Sequence, residues 1–230
     1  MPATTFNGRT FDRNVHFDPQ SRMFGIAEHV SDQPMISHDW DCPIDLDQGQ
    51  DGACVGFGWT HWEASQPCSK TGLTYDTAMT LYHMAQSIDG DPDPHEGSTV
   101  LAGAKIVQQA NVISSYRWAF SRDDLVLALG YIGPVVLGVN WHEDMFNPDA
   151  KNMITPTGNI VGGHCILARA INLTDGFDVG SGIVTLHNSW GPSWGNSGDA
   201  YITVNDLWAL LQDQGEACIP VVAAATPVVV

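Results

Sequence analysis

Cys54 follows the polar run Gln48-Gly49-Gln50-Asp51-Gly52-Ala53 and opens a stretch whose pattern turns helical. The nucleophile that a cysteine offers is its thiolate, not its thiol. A cysteine at a helix N-terminus sits at the positive end of the macrodipole beside unsatisfied N–H groups, and both lower its pKa. A nearby imidazolium lowers it further and later protonates a leaving amine. Two more segments supply partners. Gly162-Gly163-His164-Cys165 opens a strand-like run, and His187-Asn188-Ser189-Trp190-Gly191-Pro192-Ser193-Trp194-Gly195 closes one. An amide hydrogen-bonded to the far ring nitrogen holds an imidazole in place. The set therefore reads as Cys54 nucleophile, His164 base and Asn188 the residue that orients it. An oxyanion needs donors, and the Cys54 backbone N–H and the Gln48 side-chain amide are the candidates. This is the chemistry of amide hydrolysis through an acyl-enzyme, and it needs no cofactor.

Other residues compete for these roles. His187 adjoins Asn188, but neighbours on a strand face opposite sides, so it is predicted to point away. His142 follows a strand and is the second rival base. Cys165 is predicted to be core, and Cys42, Cys68 and Cys218 to be core or bridge residues. Five cysteines leave at least one unpaired if all bonds are internal. Two bridges suit an oxidising compartment and five thiols a reducing one, and the sequence does not choose. The alternating aspartates of Asp89–Glu96 invite a calcium reading. Pro92, Pro94 and the lack of a matching downstream glutamate favour a solvated loop, so no metal is expected there.

The elements that must position these residues change character midway. Residues 1–50 read as an irregular arm, with Trp40 as an anchor. From Cys54, the stripe Val55, Gly58, Trp59 and Trp62 predicts a helix, with both tryptophans in the core. Gly56 and Gly58 cost helix propensity, which signals close backbone packing. Further helices are expected over Tyr75–Ser87, Val100–Ala110 and, from a capping box at Ser121 and Asp124, up to Leu129. Pro134–Trp141, Cys165–Ile171, Gly182–Asn188, Ala200–Val204 and Cys218–Val222 read as strands, with a short helix over Asp206–Gln212. The class is α+β. The expected organisation is one domain: an arm and oxyanion loop over 1–53, a helical lobe over 54–130 and a β lobe over 131–230, with a cleft between the lobes.

Composition narrows the partners. The formal charge is -17, from 26 acidic against 9 basic residues. Such a surface repels phosphate backbones and anionic lipid, so neither nucleic acid nor membrane is an expected partner. Residues 1–40 hold no apolar run with a basic flank, so no secretory signal is visible. The apolar tail Val221–Val230 is too short to span a bilayer and reads as a buried final strand. Localisation and oligomeric state stay open.

The three segments, in this order, resemble the papain-like cysteine peptidases. That family's signature is C-G-[SA]-C-[WY] with distant His and Asn. Gly52, Ala53 and Cys54 agree with it, and Phe57 falls where the family carries phenylalanine. Asp51 stands at a family cysteine, so the bridge made there cannot form, and Val55 replaces the aromatic residue. The interval from Cys54 to His164 is shorter than the usual roughly 130–150 residues, which a trimmed loop explains. The resemblance covers about Trp40 to Val204 and leaves 1–39 unexplained. It implies a two-lobed papain-like fold with a helical lobe and an antiparallel, barrel-like β lobe. It implies that Trp190 shields the His164–Asn188 bond. It places a substrate-pairing strip at Glu96-Gly97-Ser98-Thr99, matched directly at Gly97 and with Ser98 replacing a second glycine. It makes Gly162 and Gly163 the wall of a roomy side-chain pocket. The implied partner is a peptide or protein substrate. A phage or bacterial hydrolase of cell-wall peptide crosslinks is one alternative. A non-catalytic relative is another, against which the intact Cys–His–Asn set argues.

Overall fold

The computed structural model describes residues 4–30, 32–90, 97–173 and 182–222. The chain opens with a hairpin of β1 (Thr4–Phe6) and β2 (Arg9–Phe11). Asn7 and Gly8 form its two-residue turn, both at positive φ (47° and 74°), the backbone that favours this residue pair. β3 (Arg13–Asn14), α1 (Ala27–Val30) and β4 (His38–Asp39) follow, so part of the arm expected to be irregular is extended. Trp40 anchors it, donating Nε1–H to the Leu129 carbonyl at 2.6 Å.

α2 (Cys54–Ala64) is buried on every side, which explains its two glycines. A Cβ at Gly56 would strike the Ala78 carbonyl, and one at Gly58 would lie 2.8 Å from Cys165 Sγ. The remaining helices start on side-chain caps. α3 (Tyr75–Asp89) has a capping box of Thr74 and Thr77, and α4 (Val100–Gln109) is capped by Thr99. β5 (Ser98–Thr99) immediately precedes α4, and β6 (Ile113–Trp118) follows it. α5 (Arg122–Tyr131) has the expected Ser121–Asp124 box, and α6 (Val204–Gln212) is capped by Thr203. Each cap satisfies an orphan N–H and contributes about 1 kcal/mol.

The other strands are β7 (Val135–His142), β8 (Ile160–Asn172), β9 (Ile183–His187), β10 (Asp199–Thr203) and β11 (Glu216–Val222). They form one sheet in the order β10-β9-β8-β7-β11-β6, with β4 also pairing β8, and every ladder is antiparallel. The sheet is antiparallel, as expected of the β lobe, but it is not a closed barrel. Among the described residues β10 and β6 end the sheet at opposite edges with no ladder between them, so the barrel does not close. β6, which falls inside the span expected to be the helical lobe but between its helices, is one of those edges.

One core cluster joins α5 and α6 to the sheet through Leu125, Leu129, Leu137, Ile166 and Leu207. A second joins α2 and α4 to it through Trp59, Trp62, Leu101, Val136 and Leu167. Each fully buried aliphatic side chain among these contributes about 1.5–3 kcal/mol. Part of the acidic loop (residues 91–96) and the tail (223–230) lie outside the described residues, so the calcium reading and the final-strand reading of the tail rest there.

Candidate active site

Cys54 is the first residue of α2, whose N-cap, Ala53, offers no side-chain hydrogen bond. The helix start is therefore free of a competing acceptor. The thiol is fully buried, and the backbone N–H groups of Cys165 and Asp12 point at it. Burial pushes its pKa up to about 11; the two N–H groups and the Arg13 charge oppose this, and the Asp12 carboxylate adds to it. The expectation of a depressed thiol pKa thus fails for this state. The helix terminus acts as foreseen, but exclusion of water outweighs it.

His164 lies on β8 opposite Val139, and its ring donates Nε2–H to Asn188 Oδ1 at 2.8 Å. The same oxygen accepts the Ser189 N–H at 2.8 Å. Two donors on one atom identify it as the amide oxygen, which places the ring proton on Nε2. Nδ1 is then a bare acceptor, and it has no hydrogen-bond partner. The ring is walled by Trp141, Trp190 and Phe11 at centroid distances of 5.0, 5.3 and 5.6 Å. Burial lowers the pKa to about 4 against the bond to Asn188, which raises it. The imidazole is neutral.

Gln48 is fully buried and tied to Ser189 twice. Its N–H donates to the Ser189 carbonyl at 2.9 Å, and its Oε1 accepts from Ser189 Oγ at 2.5 Å. Its Nε2 donates to the Asp51 carbonyl at 2.7 Å and towards the Thr10 carbonyl at 3.4 Å. The structure thus gathers Gln48, Cys54, His164 and Asn188 around the start of α2 and the ends of β8 and β9.

Residues 9–14, expected only as part of the irregular arm, fill this site. β3 pairs in parallel with β5, Arg13 with Ser98 and Asn14 with Thr99, so the strip at Gly97 and Ser98 does hold extended backbone, namely the chain's own. The Asp12 carbonyl accepts the Ser98 N–H at 3.2 Å, and its carboxylate accepts the Gly97 N–H at 2.6 Å. A Cβ at Gly52 or Gly97 would meet Asp12, one at Gly162 would come within 2.5 Å of Phe11 Cβ, and one at Gly163 would strike the Arg13 carbonyl. Arg9 clamps the segment's base, pairing with Asp47 and donating to the Trp190 carbonyl at 3.2 Å. Trp190 is buried beneath Phe11, its ring 6.0 Å away. One signal for this segment was available: Asn7-Gly8 between Thr4-Thr5-Phe6 and Arg9-Thr10-Phe11 is a strong hairpin pattern.

The rival histidines stand elsewhere. His187 points to the opposite side of β9 from Asn188, donating to Asp199 Oδ1 at 2.8 Å and to the Ile44 carbonyl at 2.9 Å. His142 bonds the Gly158 carbonyl at 3.1 Å. All five cysteines are free thiols. Where the resembled family has a bridging cysteine, Asp51 accepts a hydrogen bond from the Tyr75 hydroxyl. No cluster among the described residues is arranged to hold a metal ion, and no helix among them is long and apolar enough to cross a membrane.

No family model matches the chain, and no curated protein matches it. Solved structures do. Xylellain, a cysteine protease from Xylella fastidiosa, superposes with a TM-score of 0.65 at 14% identity, over 97% of this chain and 99% of that one. Procathepsin B S9 from Trypanosoma congolense gives 0.59 at 12% identity, over 97% of this chain and 87% of that one. A recombinant stem bromelain precursor gives 0.58 at 14% identity, over 93% and 76%. The likeness is one of fold: the chain has the two-lobed α+β architecture of papain-like cysteine proteases.

Proposed function

We propose that the chain is a cysteine peptidase that hydrolyses amide bonds of peptide or protein substrates, with Cys54, His164, Asn188 and Gln48 as its working groups. One observation carries this reading. Asn188 holds Nε2 of His164 so that Nδ1 is left bare and unpartnered, on the strand whose next residue, Cys165, points its N–H at the thiol that starts α2, in a cleft that accepts extended backbone. Nδ1 takes the Cys54 proton, and the thiolate attacks the scissile carbonyl carbon. The resulting oxyanion receives the Cys54 N–H and Gln48 Nε2, the latter now turned to the Thr10 carbonyl. As the tetrahedral adduct collapses, Nδ1–H protonates the leaving amine and a thioester remains. Water attacks the thioester, giving its proton to Nδ1, and the thiol leaves reprotonated. Trp190 keeps water from the His164–Asn188 bond, so the ring's tautomer is preserved through the cycle.

The closed site is resting. With thiol and imidazole both neutral and the Thr10 carbonyl on Gln48, turnover requires that residues 9–14 leave the cleft. The test is turnover of one peptide substrate by a set of variants. Cys54→Ala and His164→Ala should lose nearly all activity with the fold intact, and Gln48→Ala roughly two to three decades. Asn188→Ala should lose less. A His164→Ala enzyme that keeps substantial activity, or a dead His142→Ala one, sinks the assignment.

A further inference from the structure

Cys165 is a second buried nucleophile beside the site, and the proposed reaction leaves it idle. It follows His164 on β8 and packs on α2, where its Sγ lies 2.8 Å from the place that a Cβ on Gly58 would take. Gly58 comes four residues after Cys54, so the two share a face of the helix with Cβ positions about 5–6 Å apart. The Cys165 N–H points at the Cys54 sulfur. The absence of a side chain at Gly58 leaves the space in which the Cys165 sulfur sits, one helical turn from Cys54.

Cys54, Cys165 and Cys218 are fully buried in one cluster. Geometry separates the third from the other two. Cys165 pairs with Gly138 on one side of β7, and Cys218 pairs with Val136 on the other. With β7 between them, their backbones stand two strand spacings apart, roughly 10 Å, beyond the reach of a disulfide. Cys54 is therefore the thiol that Cys165 can meet, by side-chain rotation alone. Burial pushes the Cys165 thiol well up, with Cys54 the next cause, so Cys165 does not react first. The Arg13 charge opposes the rise at both thiols.

We propose that Cys165 is the resolving partner of Cys54: a hydroperoxide oxidises Cys54, and Cys165 closes on it to form a reversible Cys54–Cys165 disulfide. Cys54 hands its proton to His164 Nδ1, and its thiolate attacks one peroxide oxygen. The O–O bond breaks, the leaving oxygen takes the proton from Nδ1 and departs as water or an alcohol, and Cys54 becomes a sulfenic acid. Two electrons have passed from sulfur to peroxide. The Cys165 sulfur then attacks the sulfenic sulfur, the S–O bond breaks, and the oxygen leaves as water with the Cys165 proton. A dithiol restores both thiols by exchange. Without Cys165, further peroxide carries Cys54 to sulfinic and sulfonic acids, which thiols do not reverse. The proton route through His164 rests on the peptidase reading; the crosslink does not.

The experiment uses the unsubstituted chain and an Arg9→Ala variant, which loosens the segment over the cleft. Each is treated with hydrogen peroxide, alkylated, digested without reductant and read by mass spectrometry. In one or both, the main product at Cys54 should be its peptide linked to that of Cys165, and dithiothreitol should return both thiols. Cys165→Ala should abolish the link and raise sulfinic and sulfonic acid at Cys54 roughly tenfold. Cys218→Ala should change neither. The link in the unsubstituted or Arg9→Ala chain decides the matter if Cys165→Ala does not fold. The proposal is overturned by equal over-oxidation of Cys54 with and without Cys165, or by Cys54 joined instead to Cys42, Cys68 or Cys218. It is also overturned if Cys54 and Cys165 stay intact in both chains once Cys42 and Cys68 are consumed. A chain that forms the link but turns over no peptide would instead remove the peptidase reading and leave the disulfide standing.

Discussion

His164 and His187 lie on neighbouring strands, are both buried, and each donates to one side-chain oxygen at 2.8 Å. The oxygens differ in charge: an amide at Asn188, a carboxylate at Asp199. Burial lowers both rings' pKa values. At His164 the amide only partly offsets this, and the ring sits at about 4. At His187 the Asp199 carboxylate and the Cys42 thiol overcome it, and the ring rises to about 10. A hydrogen bond of one length therefore has two outcomes. An amide orients a ring and leaves its proton free to come and go. A carboxylate holds the proton in place and makes a structural cation. Asp199 also binds Arg169, which reaches Asp39, so His187 belongs to a network that ties β4, β8, β9 and β10.

Exchanging the partners should have the largest effect. Asn188→Asp should raise the His164 pKa by several units from about 4, towards the value of His187, as followed by NMR of the ring protons. A ring that still titrates near 4 would mean that burial, not partner charge, separates the two. Next comes Asp199→Asn, which strips the countercharge from His187 and Arg169. It should cost roughly 3 kcal/mol in a denaturant melt and leave turnover per folded molecule unchanged. Loss of turnover at full stability would move His187 into the chemistry.

Stability against pH separates the rings by sign. His164 is lowered, so its contribution is lost as pH falls from 6.5 to about 4, with Glu216, raised to about 7, opposing it over part of that range. His187 is raised, so its contribution is complete below pH 6.5 and is lost as pH rises towards 10. His187→Gln should flatten the fall in melting temperature between pH 6.5 and 9, below the range where Cys54 ionises. An unchanged slope would show that His187 is not held as a cation. The smallest effect belongs to Ser189→Ala, which removes the donor on Gln48 Oε1 and should cost about 1–2 kcal/mol.

The segments of the candidate site and most of the frame were legible because their signals are local. Ser121 and Asp124 announce α5 by a capping box four residues long, and the runs of β7 and β9, rich in β-branched residues, announce strands. What stayed hidden depends on distant partners. β3 is two residues long and exists only because Ser98 and Thr99 lie beside it. β6, Ile113-Ser114-Ser115-Tyr116-Arg117-Trp118, is an edge strand with few apolar positions, and β11 holds it in the sheet. The sign of the Cys54 shift was misjudged because a helix start can be read in sequence, whereas the Phe11–Arg13 cover that removes water cannot. Glu216 gave no sign of its burial, since a lone glutamate before a strand is ordinarily solvated.

The segment in the cleft is continuous with the rest of the chain, so it is present there at an effective concentration set by the intervening chain and not by how much protein is in solution. One cut anywhere between Asn14 and Gln48 would replace that figure with the bulk concentration of a released fragment. The same contacts would then have to act between separate molecules, and dilution alone would empty the cleft without altering a single residue that lines it.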